Sequence, residues 1–525
     1  MFIVSCSLFV VSSFERMKPA RLAFLTIFFV SCLLLLIFLW WHWDLGLHRY
    51  FDVDEYAHLH WASRFVAGKH PYIDFLYFFP PGFLWFLAPL FWWMSGTAPL
   101  IAGRIIAFFI FLALCAVSGA IFWSVRRSAF AVVAAMILAF LPLPFDRYLD
   151  IRPDNLATLL VFLGLFFQIR YLRRGVRKDG FTAGIWYGVS LIVLSKTFPQ
   201  VLTAFAIGLL SQFKLPGKIH MAGFGKALSV AVRKNIPLLA GFVLPIVVFS
   251  LWALSLGDVG TVLYSLTKLP FEANRISQFF IMQPNLFFYP NEVLYGSGGY
   301  NQGLLANHAV WILGLAYGIY RFFTVYLVRG KEYVWEELLI SGTLIVHIIV
   351  YVLFVPLKHT QYLIPIGVLV GFYVADAALS LWKSMRNHSV GAMIFVGIWL
   401  IGAIVLYRAF VSSVTPKRAW TNDTSLASAQ KIYDSIPMTE LVLDLDGLML
   451  YTPDPYYACC VPFGQFAQFL SRPLPPLSSV LETTQTRFIY QGELRRVSTL
   501  PGEDQSYIAT HFVPWEGGDQ LLIRR

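Results

Sequence analysis

Residues 21–56 read RLAFLTIFFVSCLLLLIFLWWHWDLGLHRYFDVDEY, and their reading decides the fold. From Leu22 to Trp43 there is no Lys, Arg, Asp or Glu, and roughly 20 such residues cross a bilayer as a helix. Lys18 and Arg21 precede the run, and Asp44, Asp52, Asp54 and Glu55 follow it. Cations next to a span hold that end in the cytoplasm, so the acids emerge on the other side. The whole chain repeats this contrast. Of its 525 residues 58% are hydrophobic and 13% charged, half the roughly 25% of a soluble domain. The aromatic share of 17% suits lipid-facing bulk and interfacial anchors. A polytopic α-helical membrane protein is expected. Disorder, a coiled coil and a disulfide-stapled secreted scaffold are excluded, the last because three of the five Cys (Cys6, Cys32, Cys115) lie in apolar runs.

The net charge of +11 raises the question of nucleic acid, and its distribution answers it. Residues 411–525 hold nine Lys/Arg and twelve Asp/Glu, a balance of −3, which leaves +14 on residues 1–410. Those cations cluster between apolar stretches, at Arg126–Arg127, at Arg170 to Lys178, at Lys214 to Lys234 and at Lys383–Arg386. They are cytoplasmic orientation signals, and no nucleic-acid partner is expected. Read against this alternation, spans fall near 22–43, 100–124, 129–147, 155–170, 181–197, 199–213, 236–256, 304–323, 338–357, 361–382 and 389–410, about eleven in all. Parity excludes Phe75–Gly96 from the set. Pro80, Pro81 and Pro89 break it into a juxtamembrane or re-entrant piece within the first exoplasmic loop, 44–99.

Three domains follow. Residues 1–21 are an N-terminal cytoplasmic segment, or one whose start belongs at Met17. Residues 22–410 form the transmembrane module. Residues 411–525 change composition and read as a small exoplasmic α/β domain, with "ELVLDLDGLMLY" at 440–451 as a strand and turn. Vicinal Cys459–Cys460 could be redox-active or structural, with two small buried hydrophobes as the default reading.

Chemistry concentrates in two exoplasmic loops. In "YFDVDEYAHLHWASRFVAGKHPYIDF", 50–75, Asp52, Asp54 and Glu55 stand just beyond the first span, ahead of a helical pattern over 55–66. Asp54 and Glu55 could simply favour a helix N-terminus. In "FDRYLDIRPDNLATLLVF", 145–162, Asp154 sits at the mouth of a span and could be a first-turn or capping acid. Two acid-bearing loops on one side, with Arg104 near the outer end of the helix between them, point instead to a shared polar cavity.

The order of these features, the Asp-Glu pair, Pro-Pro-Gly at 80–82, "AGRIIAFF" at 102–109 and "RPDNLATLLVF" at 152–162, resembles the GT-C superfamily of integral membrane glycosyltransferases. It is most similar to the branch of protein O-mannosyltransferases and lipid A aminoarabinose transferases. The resemblance covers residues 20–215, more weakly to 410. It implies a polyprenyl-phosphate-linked sugar as donor and a lipid, glycan or protein hydroxyl as acceptor, with transfer on the exoplasmic face and inversion at the anomeric carbon. It implies a bacterial inner membrane, with the site and the C-terminal domain facing the periplasm. Asp54 is then the general base, Glu55 orients or supports it, and Asp154 positions acceptor or sugar. A leaving phosphate calls for cations nearby. Candidates at outer helix ends are Arg104, Arg152, Lys196 in "LSKTFPQ", and Lys358 and His359 in "PLKHTQYLIP", with Tyr362 beside them; each cation could also merely snorkel to the interface. Lys196 stands where related enzymes carry Thr-Lys-Gly, and Phe78–Phe79 precede the Pro pair where the aminoarabinose branch has a Lys. No cofactor is implied and no metal site is expected, with a divalent ion left open; His58 and His60, two apart, face different sides of a helix and cannot chelate one ion. Two other classes fit parts of the sequence. A secondary transporter or flippase would place acids at mid-membrane within an inverted repeat. A lipid-linked polysaccharide ligase or polymerase would use a large late loop, for which 257–303 is the candidate; its "FYPNEVLYGSGGYNQG", 288–303, reads here as shaping a pocket.

Overall fold

The computed structural model describes residues 19–141, 146–211, 221–275, 302–327, 334–355, 360–458, 460, 467–492, 496–515 and 520–525. In chain order the membrane part consists of α1 (Pro19–His48), α2 (Val53–Val66), α3 (Gly82–Leu87), α4 (Leu90–Trp93), α5 (Ala98–Arg126), α6 (Ala131–Phe140), α7 (Pro153–Arg174), α8 (Arg177–Val193), α9 (Phe198–Leu210), α10 (Met221–Ser255), α11 (Val259–Leu263), α12 (Leu269–Ala273), α13 (Gln302–Leu327), α14 (Val334–Leu353), α15 (Ile364–Met385) and α16 (Ser389–Val414). A helix therefore overlaps each of the eleven expected stretches. Among the described residues seven are long and apolar enough to cross a bilayer by length and composition, and the chain is an integral membrane protein.

The largest departure from expectation is α6. It is 10 residues long, about half of a straight crossing, because Leu141 precedes Pro142 and a residue before proline is pushed out of helical geometry. Prolines also set the first loop: Pro81 caps α3 and Pro89 caps α4. Both short helices lie in the stretch that parity excluded from the spans. α16 runs on to Val414, past the change of composition at 411. The segments 1–18, most of the expected N-terminal piece, and 276–301, most of the late loop, lie outside the described residues.

Close backbone approach holds α8 to α10. Gly180, Gly184 and Gly188 recur every four residues on one face of α8. A Cβ on Gly184 would meet the Leu238 carbonyl oxygen at 2.1 Å, and one on Gly241 would meet that of Phe181 at 2.0 Å. In lipid, where there is no hydrophobic drive between helices, such small-residue faces supply the packing. At one end of the bundle Arg126 of α5 is forked onto Asp376 of α15 at 2.6 and 2.7 Å and reaches Glu337 of α14 at 2.5 Å. Arg321 of α13 meets Glu337 at 3.1 Å. Four helices are tied at a single polar knot.

After α16 come α17 (Asp423–Ser435), α18 (Leu477–Thr483) and α19 (Gly502–His511), with strands β1 (Val442–Asp444), β2 (Phe488–Tyr490), β3 (Phe512–Pro514) and β4 (Leu521–Arg524). The sheet order is β1-β2-β4-β3, with β1 parallel to β2 and β4 antiparallel to both its neighbours. "DLDG" forms the turn after β1. The buried Asp444 carboxylate accepts from the N–H groups of Asp446, Gly447 and Met449 at 2.8, 2.9 and 2.6 Å. Cys460 is disulfide-bonded rather than a free buried hydrophobe, and its partner lies outside the described residues.

Candidate active site

The acid-rich loop starts a helix as the sequence suggests, with Asp54 and Glu55 in its first turn. Asp52 caps α2: its Oδ1 accepts from the Asp54 N–H at 3.0 Å, and Glu55 Oε2 accepts from the Asp52 N–H at 2.8 Å. This reciprocal box satisfies two donors that a helix start otherwise leaves open. Three acids are thereby fixed within one turn, and they diverge.

Glu55 points inward and is completely buried. Its Oε1 receives Arg104 Nε at 2.5 Å and the Ile151 N–H at 2.9 Å, and its Oε2 receives Arg104 Nη2 at 2.6 Å. The remaining Arg104 contacts go to the carbonyls of Gly46 at 3.0 Å and Tyr50 at 2.8 Å. Burial pushes the Glu55 carboxyl up, and Arg104 pulls it back. With four N–H donors on its two oxygens, the geometry accommodates the ionised form. Arg104, expected among substrate-binding cations, is buried against Glu55 and ties α1, α2 and α5 together.

Asp52 receives Arg147 at 2.7 Å and Arg152 at 2.8 Å. Burial alone would raise its carboxyl, yet the two guanidiniums hold it well below the usual carboxylate range. Arg147 and Arg152 also meet the buried Asp150, at 2.8 and 3.2 Å, and Arg49 reaches it from the end of α1 at 2.8 Å. Burial opposes ionisation of Asp150 too, and its three arginines again win. The loop carrying these groups is pinned by Asn155 Nδ2, which donates to the carbonyl of Arg147 at 2.8 Å and lies 3.2 Å from that of Tyr148.

Asp54 is different. It is ion-paired with Arg152 Nη1 at 2.6 Å, but its side chain is 47% exposed. It opens onto a cavity of about 340 Å³ that also carries Asp52, His58, Arg147, Arg152, Asp154, Lys196 and Tyr362. His58 lies against the rings of Phe79 and Phe83 at 5.5 and 5.2 Å, and burial pushes it down to about 3, so it is neutral near pH 7. Lys196 sits between α8 and α9. Its Nζ donates to the Tyr362 hydroxyl at 2.7 Å. Of the sequence candidates, Asp54, Asp154, Arg152, Lys196 and Tyr362 share this chamber; Lys358 and His359 lie outside the described residues. Among the described residues no three His, Cys, Asp or Glu converge as a metal-binding group.

Beside the chamber lies a second, apolar cavity of about 570 Å³. Val350, Tyr351 and Phe354 of the α14 end and Pro270 and Phe271 of α12 line it. Phe271 and Phe354, 77% and 71% exposed, stand outermost. The two cavities share Phe78, Phe79, Asp154, Lys196, Gln361 and Tyr362. Lys196 and Tyr362 thus stand where an apolar groove meets a polar chamber.

The C-terminal domain closes the chamber with Cys460 and Arg496. It docks on α2: His60 Nδ1 meets the Met449 carbonyl at 2.9 Å, His60 Nε2 meets Asp454 at 2.7 Å, and Arg64 donates to the Leu450 carbonyl at 3.3 Å. Gly447, at φ +90°, lies so close to the α2 backbone that a Cβ would be 2.8 Å from Ala57 Cα. Arg49, Arg147, Asp150 and Arg496 escape a sequence reading, since partners 50 to 100 residues apart leave no periodic signal. The one available hint was the density of opposite charges in "FDRYLDIRPD".

No family model matches the sequence, and no curated protein matches it. Solved structures do. The chain is similar to ArnT from Cupriavidus metallidurans in the apo state, with TM-score 0.57, 13% identity, and coverage of 96% of this chain and 98% of that one. The same enzyme bound to undecaprenyl phosphate gives TM-score 0.56 at 13% identity over 94% and 97%. The apo oligosaccharyltransferase of Archaeoglobus fulgidus gives TM-score 0.51 at 14% identity over 92% of this chain and 72% of that one. The chain shares the fold of these two transferases, the fold that the ordered motifs implied.

Proposed function

We propose that the protein transfers a sugar, a pentose or hexose, from a polyprenyl-phosphate donor to a hydroxyl of a lipid, glycan or protein acceptor. The junction of the two cavities carries this reading. An isoprenoid tail needs an apolar trough, a sugar phosphate needs a polar chamber with a cation, and here both share Lys196 and Tyr362. The ArnT structure with undecaprenyl phosphate shows that a protein of this fold holds such a lipid. The alternation of basic and acidic loops supports an exoplasmic position for the chamber and the C-terminal domain, the periplasmic side of a bacterial inner membrane, where nucleotide sugars are absent. The disulfide at Cys460 suits that oxidising compartment.

In the reaction the acceptor oxygen attacks the anomeric carbon from the side opposite the phosphate, its proton passes to the Asp54 carboxylate, and the anomeric C–O bond to phosphate breaks with inversion. The phosphate diester leaves as a monoester and gains one negative charge, which Lys196 neutralises where it develops. Arg152 fixes the Asp54 rotamer, and Asp52 and Asp150 fix Arg152. Asp154 faces both cavities and positions sugar or acceptor. Glu55 and Arg104 are positioning residues that hold α2 against α5. The test is reconstitution of the purified protein in liposomes with radiolabelled polyprenyl-phosphate sugars and extracted envelope acceptors. Sugar transfer by the wild type supports the reading; a donor that is bound but never consumed, across pentose and hexose donors, refutes it.

A further inference from the structure

A third cavity, of about 460 Å³, lies at the other end of α5 and α7, and the sugar-transfer reading makes no use of it. Arg127, Arg170, Arg173 and Arg174 line it, with Trp123 at its edge. α7 begins at Pro153, next to Asp154 of the candidate active site, and ends at Arg174, 22 residues in total. At about 1.5 Å per residue that is about 33 Å, the thickness of a hydrocarbon core. The two cavities therefore face opposite leaflets.

Cations at this end would be expected merely as orientation signals scattered in water. Here all four line one concavity, Arg170 and Arg173 half-buried within it and the exposed Arg127 and Arg174 open to solvent and headgroups. Arg170 meets Asp179 at 3.2 Å, and Arg173 meets Glu336 at 3.3 Å and the Ser124 carbonyl. Arg170 Nε is buried without a hydrogen-bond partner. Among the described residues no carboxylate pairs with Arg127 or Arg174, in contrast to the nearby Arg126, whose guanidinium is satisfied by Asp376 and Glu337. Four guanidiniums against two carboxylates leave an excess of +2 in the pocket. Its other walls are apolar: Gly119 and Ala120 of α5, and Phe166 and Ile169 of α7. Trp123, 48% exposed, is the kind of side chain that sits at headgroup depth. An excess of guanidinium with apolar walls between two helices fits a phosphate whose remaining part is hydrocarbon.

We infer that this cavity binds the phosphate headgroup of an anionic phospholipid from the leaflet opposite the active site. Arg127 and Arg174 supply the uncommitted charge, and the apolar walls take the glycerol and first acyl carbons. The experiment titrates the full-length protein in neutral detergent with dioleoyl-phosphatidylglycerol, dioleoyl-phosphatidylcholine or inorganic phosphate. Binding is read by native mass spectrometry and by the rise in apparent Tm. Phosphatidylglycerol is expected to bind the wild type and raise its Tm. In R127Q/R174Q its affinity should fall about 30-fold, two cations at roughly 1 kcal/mol each. R127K/R174K, which keeps both charges, should lose less than about fivefold. If R127Q/R174Q does not fold, R127Q alone carries the test, with about a fivefold loss. Equal phosphatidylglycerol affinity in wild type and the Gln variant overturns the site, and equal binding of phosphatidylcholine overturns the charge. Inorganic phosphate binding as tightly as phosphatidylglycerol overturns the assignment to a lipid.

Discussion

Replacing Glu55 by Gln perturbs the most completely enclosed interaction near the site. Four N–H donors converge on its carboxylate at 2.5 to 2.9 Å, from Arg104 twice, Asp52 and Ile151. Gln offers one acceptor oxygen and, in place of the other, an NH₂ that must face a donor. Arg104, 1% exposed, is left as a buried unneutralised cation. Breaking a buried pair from one side costs about 3–5 kcal/mol, whereas replacing both partners by apolar groups is often near neutral. E55Q and R104M should therefore each destabilise by about 4 kcal/mol, while E55Q/R104M should cost far less than about 8. The double variant should recover part of the loss in apparent Tm that each single change brings in detergent. Sugar transfer, if Glu55 acts only through position, should follow stability, with kcat falling and donor KM little changed. Additive losses would refute the pairing as the reason for Glu55, and a folded E55Q with full activity would refute its positioning role.

Further expectations follow from other parts of the structure. K196M should lower kcat by about 10²–10³-fold, the worth of one donor aimed at developing charge, with apparent Tm unchanged. G447A places a Cβ 2.8 Å from Ala57 Cα at φ +90°; limited proteolysis should release the C-terminal domain faster, and unaltered digestion would contradict its docking on α2. Burial pushes Asp444 up to about 6 from 3.8. A carboxyl raised in the folded state favours folding below its unfolded pKa and loses that contribution as pH rises through 6. The wild type should thus lose about 2 kcal/mol of domain stability relative to D444N between pH 4 and pH 7, and parallel unfolding profiles of the two proteins would contradict this.

The helical frame was legible because each apolar stretch is bounded by charge. What failed was length: α6 stops at Leu141 before Pro142, so hydrophobicity over 129–147 overstated a helix of 10 residues. In the candidate site, Asp54, Asp154 and Lys196 drew attention in the sequence because acids and cations at helix mouths are costly and stand out against an apolar background, and Tyr362 because it lies beside Lys358 and His359. Their neighbours were not. Arg104 and Glu55 attract attention together in the sequence, but only three-dimensional packing reveals that they satisfy each other and turn away from the chamber. Arg147 and Asp150 look like ordinary loop charges until Asp52 and Arg49 are brought beside them. Arg496 arrives from a separate domain, and nothing local marks it.

The central claim is that Asp54 takes the acceptor proton. Asn at 54 keeps the size and one oxygen for Arg152, and the side chain is 47% exposed, so losing the charge should cost at most about 1 kcal/mol of stability. Removing the base should lower kcat by about 10²–10⁴-fold. The decisive measurement is therefore single-turnover sugar transfer by D54N in liposomes, beside donor binding and apparent Tm. Transfer is expected to fall at least about 100-fold with donor affinity and Tm retained; transfer within about threefold of wild type would rule out Asp54 as the base.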